Sequence, residues 1–371
     1  MKMTQEGNRV IAAAPRQGAA SDGSVSLRSL DATRICILKP SALGDVVQSL
    51  PLLPALRRRF PAASISWVIN RHLAGLIERH SQLDEVISFD RRGTWRDVWG
   101  LLRDLRRRRF DLVFDLQGLL RTAVMSLATG ARYRVGLQTA REGSGWACHA
   151  TIPETSRAVP AWQRCFNVIQ ALGLSDWRPE TGLEIPSAAR EWAASRMQPI
   201  PRPILAMHAG AGWVTKRWPV EKFAAIAARF PGSVVAVGTG SEAPLAAHII
   251  SEVGRAGGCG LDLAGKTTLP ELAALLERAD LVLSNDSGPM HLAAAAGTPV
   301  VGVFTCTSPT ISGPAGSQHE LVATTVDCAA RYCKQCPNRG EDHLACLEEL
   351  SVERVWRGIE RVLQRGERKT A

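Results

Sequence analysis

Short apolar runs rich in β-branched residues alternate with stretches of helical period along most of this chain, and that alternation leaves few folds open. Strand-like runs fall at 34–39, 64–69, 111–115, 203–207, 233–237, 281–284 and 299–304. Helix-like stretches fall between and after them at 45–59, 72–80, 94–109, 162–172, 219–229, 243–254, 270–278 and 288–296. A β-α alternation of this kind predicts an α/β protein with parallel sheets. At 371 residues the chain exceeds one ordinary core, so two domains are expected.

The two halves echo each other. Arg59-Phe60-Pro61 before SISWVI matches Arg229-Phe230-Pro231 before SVVAVG, and Asp111-Leu-Val-Phe matches Asp280-Leu-Val-Leu. The strand ending at Lys39 matches the strand ending near His208. The offset is 169 or 170 residues in all three pairs, which predicts two similar βαβ domains. Three prolines in MQPIPRP, 197–203, mark the expected break. The expected division is a disordered tail over 1–31, a first domain over 32–197, a second over 203–348, and a last helix over 349–371 packing back toward the first domain. Ligands in such sheets bind at the carboxyl ends of the strands, so the cleft between two domains is the expected site.

Charge is divided unevenly. Residues 34–200 hold 24 basic against 15 acidic residues, a net +9, whereas 201–371 hold 17 of each. A bias confined to one half suggests an anionic partner for that half, with a solvated arginine-rich surface as the competing reading. No nucleic-acid recognition motif accompanies the charge, so no nucleic acid is expected. No run of about 18 apolar residues occurs, so no transmembrane helix is expected. The first thirty residues are rich in Ala, Gly, Ser and Gln without a long apolar core, which reads as the tail of a cytoplasmic protein.

The second half carries the loops suited to a nucleotide. HAGAGWVTKRWP, 208–219, leaves a strand through small residues and reaches Lys216 before a helix. Small residues let a backbone approach a diphosphate and the lysine adds a compact charge; an ordinary surface lysine is the alternative. SNDSGPMHL, from 284, ends a strand in Asn285-Asp286, turns at Ser287-Gly288 and starts a helix with Pro289. The amides of Ser287 and Gly288 at that helix start form an anion site, unless Asp286 or Ser287 only caps the helix. His291, in the first turn, reads as a core or supporting hydrogen-bonding residue rather than a catalyst. In VGTGSEAPLA, Glu242 stands where a carboxylate commonly takes a ribose diol; service to the helix dipole competes.

The loop KPSALGD, 39–45, follows the first strand with one glycine, Gly44, and a carboxylate, Asp45. With the nucleotide in the second domain, Asp45 is free to face the cleft as a base, taking the proton of a sugar hydroxyl that attacks a carbon bearing a diphosphate. A helix start keeps a carboxylate ionised, so base work asks for burial of the side chain. An Asp that merely steadies the first helical turn is the competing reading. Near the C-terminus, Cys328, Cys333, Cys336 and Cys346 fall within nineteen residues, with one Cys-x2-Cys pair. A structural zinc, buried reduced thiols and a conditional disulfide all fit that spacing.

Together these strings resemble glycosyltransferase family 9, the heptosyltransferases of lipopolysaccharide core synthesis. The marks are KPSALGDVVQSLP (39–51), DLVFDLQGLLRT (111–122), TKRWP (215–219), GSE (240–242) and the run from LAGKTT to VVGVF (263–304). The resemblance implies a GT-B arrangement of two Rossmann-like domains and inverting transfer of heptose from ADP-L-glycero-D-manno-heptose to a lipid A–Kdo acceptor. It implies Asp45 as general base, Lys216 on the donor diphosphate, Glu242 on the ribose, and Asp286, Ser287 and Gly288 beside the donor phosphates or sugar. It implies no cofactor required for catalysis, and any zinc would be structural. It also gives the basic half a partner. Arg57, Arg58, Arg59 and Arg106, Arg107, Arg108, Arg109, with Trp95 and Trp99 between them, could meet the acceptor at the inner face of the cytoplasmic membrane, as a peripheral protein does. Two features depart from the family: the loop FTCTSPTISGPAG, where a Gly-Pro-Thr-type loop is usual, and the N-terminal tail. Another nucleotide-sugar transferase, a sugar-nucleotide epimerase and a non-catalytic nucleotide- or glycan-binding protein are the other readings of the same fold.

Overall fold

The structure, a computed structural model, describes residues 27–176 and 180–370. The chain divides into two compact units, the second starting at Ile185. In the first, strands β1 (Arg34–Leu38), β2 (Ser64–Asn70), β3 (Glu85–Phe89), β4 (Leu112–Asp115), β5 (Tyr133–Leu137) and β6 (Ala150–Ile152) form one parallel sheet in the order β3-β2-β1-β4-β5-β6. In the second, β7 (Ile204–His208), β8 (Ser233–Ala236), β9 (Cys259–Asp262), β10 (Leu281–Asn285), β11 (Val300–Phe304) and β12 (Glu320–Ala323) form another in the order β12-β11-β10-β7-β8-β9. The second sheet repeats the strand order of the first, so the sequence echo is an echo of topology. Both units are Rossmann-like α/β structures.

The echoed aspartates do the same job in each unit. The Asp111 carboxylate accepts the Thr33 and Arg34 backbone N–H groups at 2.8 and 2.9 Å, just ahead of and at the start of β1. The Asp280 carboxylate accepts the Ile204 N–H at 2.6 Å at the start of β7. Each ties the first strand of its sheet to the chain entering the fourth. The seven runs read from the sequence are the inner strands β1, β2, β4, β7, β8, β10 and β11. Parallel inner strands are covered on both faces and appear as unbroken apolar runs. The strands not foreseen, β3, β5, β6, β9 and β12, lie at or next to a sheet edge, and most keep partly exposed residues, so the apolar signal is diluted.

Three boundaries differ from the sequence expectation. The units part between Glu184 and Ile185, ahead of 197–203. The helix Ser187–Met197 belongs to the second unit: it packs on the helix Leu269–Arg278, with the Arg190 guanidinium forked onto Glu277 at 2.8 and 2.9 Å. The first unit starts before residue 32, since Leu27 and Leu30 are buried; the rest of the expected tail, 1–26, lies outside the described residues. The last helix, Val352–Thr370, packs on β10, β11, β12 and the helix Val220–Arg229 of the second unit. Its Val355, Trp356, Ile359 and Val362 join the core around Leu205, Phe223 and Val301. The stretch 45–59 is two helices, Leu43–Val47 and Leu52–Arg59, parted near Pro51. Among the described residues no helix is long and apolar enough to cross a membrane.

Candidate active site

In the second unit the carboxyl ends of β7, β8, β10 and β11 gather a polar network. β7 ends at His208, whose imidazole is 4% exposed in the residue as a whole. Its Nδ1 lies 3.0 Å from the Ser287 hydroxyl and its Nε2 lies 3.4 Å from Glu242 Oε2. An ionised carboxylate only accepts, so Nε2 carries a proton. Glu242 also accepts the Thr239 N–H and hydroxyl at 2.8 and 2.9 Å. The His208 hydrogen bond, with those from Thr239, outweighs burial and holds the Glu242 carboxyl down at about 2. Gly210 makes room for this group: a Cβ there would fall 1.8 Å from Glu242 Oε1. The carboxylate is therefore fixed, ionised at neutral pH and only 18% exposed.

The turn after β10 supplies the rest. Asp286 is buried, and its Oδ2 takes the Lys216 ammonium and the Thr307 hydroxyl, each at 2.7 Å. His291 Nε2 stands 4.0 Å from Asp286 Oδ1. Lys216 Nζ also lies 4.7 Å from the centre of the Trp213 ring, so aromatic face and carboxylate fix its direction together. Ser287, in extended backbone, holds the N-cap position of the helix Gly288–Ala295 without a side-chain cap hydrogen bond, and the first-turn amides of that helix have no intrahelical acceptors. Asn285 braces the loops from below, its amide nitrogen 2.8 Å from Ala209 O and its oxygen accepting the Trp218 N–H at 3.2 Å. Trp218, of the TKRWP string, is a core residue: its Nε1 donates to Leu350 O at 2.8 Å. Five of the six donor-side residues expected from the sequence thus fall in two groups, Glu242 and Ser287 around His208, and Lys216 and His291 around Asp286, joined where Asp286 and Ser287 are consecutive; Gly288 follows directly in the turn.

In the first unit, Asp45 stands at the carboxyl edge of β1, at the third residue of the helix Leu43–Val47. Its Oδ2 accepts the Ala42 N–H at 3.3 Å and lies 3.9 Å from Lys39 Nζ. Lys39 is itself held, its ammonium 3.0 Å from Leu116 O and its carbonyl taking Trp67 Nε1 at 3.0 Å. The Asp45 side chain is 47% exposed, so the burial asked of a base is absent here and the carboxylate presents itself to solvent. Both a turn-steadying hydrogen bond and an accessible carboxylate are present in one residue.

The arginines divide. Arg57 is spent inside the unit, on Ala63 O at 2.7 Å and Asp84 at 2.8 Å. Arg59 holds the entering chain through Arg28 O and Leu30 O at 2.9 and 2.7 Å. Arg108 forks onto Glu85 at 2.6 and 2.8 Å. The Arg106 guanidinium occupies the space where a Cβ on Gly130 would sit, 1.2 Å from its Nη1. Arg58, Arg107 and Arg109 are less committed: Arg58 meets Asp176 at 3.1 Å, Arg107 stands 3.9 Å from Asp104, and Arg109 has φ 53° after the helix. The cysteines do not suit zinc. Among the described residues no three His, Cys, Asp or Glu side chains form a group able to hold a metal. Cys333 Sγ points at Arg331 O, Cys336 Sγ takes the Leu344 N–H at 3.3 Å, and Cys328 Sγ takes the Asn338 amide at 3.6 Å. Burial, and then Cys328, Cys306 and Cys336 nearby, push the Cys346 thiol up to about 11. The four sulfurs are free thiols around one loop.

Residues 98–341 match the sequence profile of glycosyltransferase family 9 (heptosyltransferase). The chain belongs to this family. It is a glycosyltransferase. Among its relatives, a lipopolysaccharide core heptosyltransferase of Haemophilus influenzae is 26% identical over 78% of this chain and 84% of its own. A lipopolysaccharide heptosyltransferase 1 of Pseudomonas aeruginosa is 28% identical over 89% of this chain and 98% of its own. A family 9 glycosyltransferase of Veillonella parvula shares the fold, with a TM-score of 0.74 at 24% identity over 90% of this chain and 98% of its own. In this family 9 enzyme, sequence reasoning missed His208, Thr239 and Thr307. The available signal for His208 was a polar residue closing a buried strand. Thr307 lies in FTCTSPT, in the loop after β11, and it reaches Asp286.

Proposed function

We propose that this enzyme transfers a heptose from ADP-L-glycero-D-manno-heptose, with inversion, to a lipid A–Kdo acceptor at the inner membrane surface, with Asp45 as general base. The observation that carries the reading is the strand-end network of the second unit, which holds a fixed ionised carboxylate, Glu242, and a fixed ammonium, Lys216, on either side of the helix start at Ser287-Gly288. That spacing of functions suits a nucleoside diphosphate: Glu242 accepts the ribose hydroxyls, while Lys216 and the first-turn amides meet the diphosphate. Asp286 positions Lys216, and the next residue, Ser287, reaches Glu242 through His208.

The bond changes are simple. The acceptor hydroxyl gives its proton to Asp45, its oxygen bonds to the anomeric carbon, and the bond from that carbon to the diphosphate breaks with its electron pair leaving on ADP. Lys216 and the helix amides stabilise the charge that grows on the departing diphosphate. Exposure of Asp45 in the free protein leaves it open to the acceptor, whose arrival supplies the desolvation that base work asks for. Titration of the protein with ADP-, UDP- and GDP-sugars in a calorimeter tests the donor. ADP-heptose is expected to bind at least tenfold tighter than the others; equal or tighter binding of a UDP-sugar contradicts the reading.

A further inference from the structure

Nine large apolar side chains are exposed among the described residues, and six of them lie on three neighbouring elements of the first unit. Trp95, Val98 and Trp99 occupy one face of the start of the helix Trp95–Arg107, at i, i+3 and i+4. Leu120 and Val124 share a face of the helix Leu120–Thr129, which packs beside the first helix. Trp146 stands on the turn Ser144–Ala147, which packs on that second helix. The three indoles are 69%, 66% and 62% exposed. Clustered apolar exposure of this kind marks an interaction surface, unlike scattered single residues.

The cluster has a defined place. Its elements follow β3, β4 and β5, so in a parallel sheet the starts of all three lie at the carboxyl edge. Asp45 follows β1 at that same edge, and the Ser41 N–H beside it faces Gln117 Oε1, in the loop before Leu120, at 3.4 Å. The segment that carries Trp95 and Trp99 is also strongly basic. Residues 91–109 contain eight arginines and two aspartates. Arg91, Arg92, Arg96, Arg103 and Arg107 are exposed, and the Arg96 guanidinium lies 5.4 Å from the Trp95 ring centre.

We propose that this face seats the first unit on an anionic phospholipid bilayer, with Trp95, Trp99 and Trp146 at headgroup depth and the neighbouring arginines on lipid phosphates. Indoles favour the headgroup layer, arginines beside them favour anionic lipid, and neither signal needs a crossing helix. A second copy of the chain is a poor occupant, because pairing the faces would bring two strongly basic segments together. The seat holds the Asp45 edge at the bilayer surface. There a lipid-linked acceptor presents its sugar, so the inference deepens the transfer reading and rests on it for its purpose, though not for its chemistry.

Flotation of the full chain with vesicles of phosphatidylcholine and phosphatidylglycerol, 70:30, tests the surface. The wild type is expected to float with these vesicles and at least tenfold less with phosphatidylcholine alone. The triple variant Trp95→Ser, Trp99→Ser, Trp146→Ser is expected to lose at least tenfold in partition, and Arg91→Gln, Arg92→Gln, Arg96→Gln to bind less than wild type at low salt, with the difference closing as salt rises. Unchanged thermal melts show that both variants fold. Equal flotation of wild type and the Trp variant overturns the proposal, as does a wild-type dimer that the Trp variant dissociates in sedimentation. Transfer to a deacylated, water-soluble acceptor separates the two readings. The Trp variant should match wild type there within twofold; absence of transfer in both, with flotation intact, would remove the transfer reading and leave the lipid surface standing.

Discussion

The loop after β1 and the loop after β7 occupy the same place in sheets of the same order, yet they carry opposite chemistry. After β1 the chain runs through Lys39, Pro40 and Ser41 to a short helix and a half-exposed carboxylate, Asp45. After β7 it runs from a buried histidine into small residues, so that Gly210 lies against the Glu242 carboxylate and Ala209 O against Asn285. The next crossing repeats the contrast. β4 ends in Asp115, buried, with Oδ1 accepting the Gln117 and Gly118 N–H groups and Oδ2 the Thr122 hydroxyl; burial pushes its carboxyl up. β10 ends in Asn285, followed by the Asp286-Ser287 pair that meets Lys216 and His208. A duplicated frame therefore keeps its shared joints, Asp111 and Asp280, while the strand-end loops differ: a half-exposed carboxylate in one unit, a set of hydrogen-bonded side chains around Lys216 and His208 in the other. Function resides in the loops because the frame holds them still.

The contrast is sharpest in turnover. Asp45→Asn is expected to lower kcat by about 10³-fold, within the range a positioned general base supplies. Steady-state transfer measures it, and a loss under about tenfold would take Asp45 out of the role. In the other unit, Lys216→Ala should weaken ADP binding by about 10- to 100-fold, the ~1.5–3 kcal/mol of a hydrogen bond to a charged group. Calorimetry with ADP alone reads that effect, and unchanged affinity would leave Lys216 serving only Asp286.

The joints should behave as twins where the loops do not. Asp111→Ala and Asp280→Ala each leave strand-start amides without their acceptor, a cost of about 1–3 kcal/mol. Urea unfolding of each variant should show similar losses; a loss confined to one would break the equivalence of the frames. The smallest expected effect is in pH. The His319 Nδ1 accepts the Val300 N–H at 3.2 Å, and burial, the largest cause, holds this imidazole down at about 4 against an ordinary 6.5. A base with a depressed folded value is protonated first in the unfolded chain. Its contribution is whole above about 6.5 and is lost as pH falls toward 4. His319→Gln, whose amide oxygen can still accept that N–H, should flatten the fall in melting temperature across this window. An unchanged slope would assign the fall to carboxylates. Glu242, held near 2, contributes in a lower window, present above about 4.5 and lost as pH falls toward 2.

The sequence made the frame legible where physics writes it in consecutive residues. Runs such as Leu281–Asn285 are buried along their whole length, and the repeated Asp-Leu-Val marks the joint that each aspartate makes. Edge strands such as Cys259–Asp262 carry no such run and stayed hidden. Asp45, Lys216, Glu242 and the Asp-Ser-Gly turn were visible because each departs from its surroundings at a strand end. His208 and Thr307 were not, because their roles arise from partners 34 and 21 residues away, Glu242 and Asp286. The arginine runs misled for the same reason. Arg57, Arg59 and Arg108 read as a basic surface until backbone carbonyls and Glu85 take up their guanidinium groups. The cysteine spacing likewise suggested a metal that the folded positions of the four sulfurs do not suit.

The division of labour between the two loops is tested most directly by the affinity of Asp45→Asn for ADP-heptose, measured by calorimetry against wild type. The account predicts dissociation constants within about twofold of each other, since the donor is held by the other unit's loops. A loss of tenfold or more would show that Asp45 helps to hold the donor, and the separation of acid from anion site would fail.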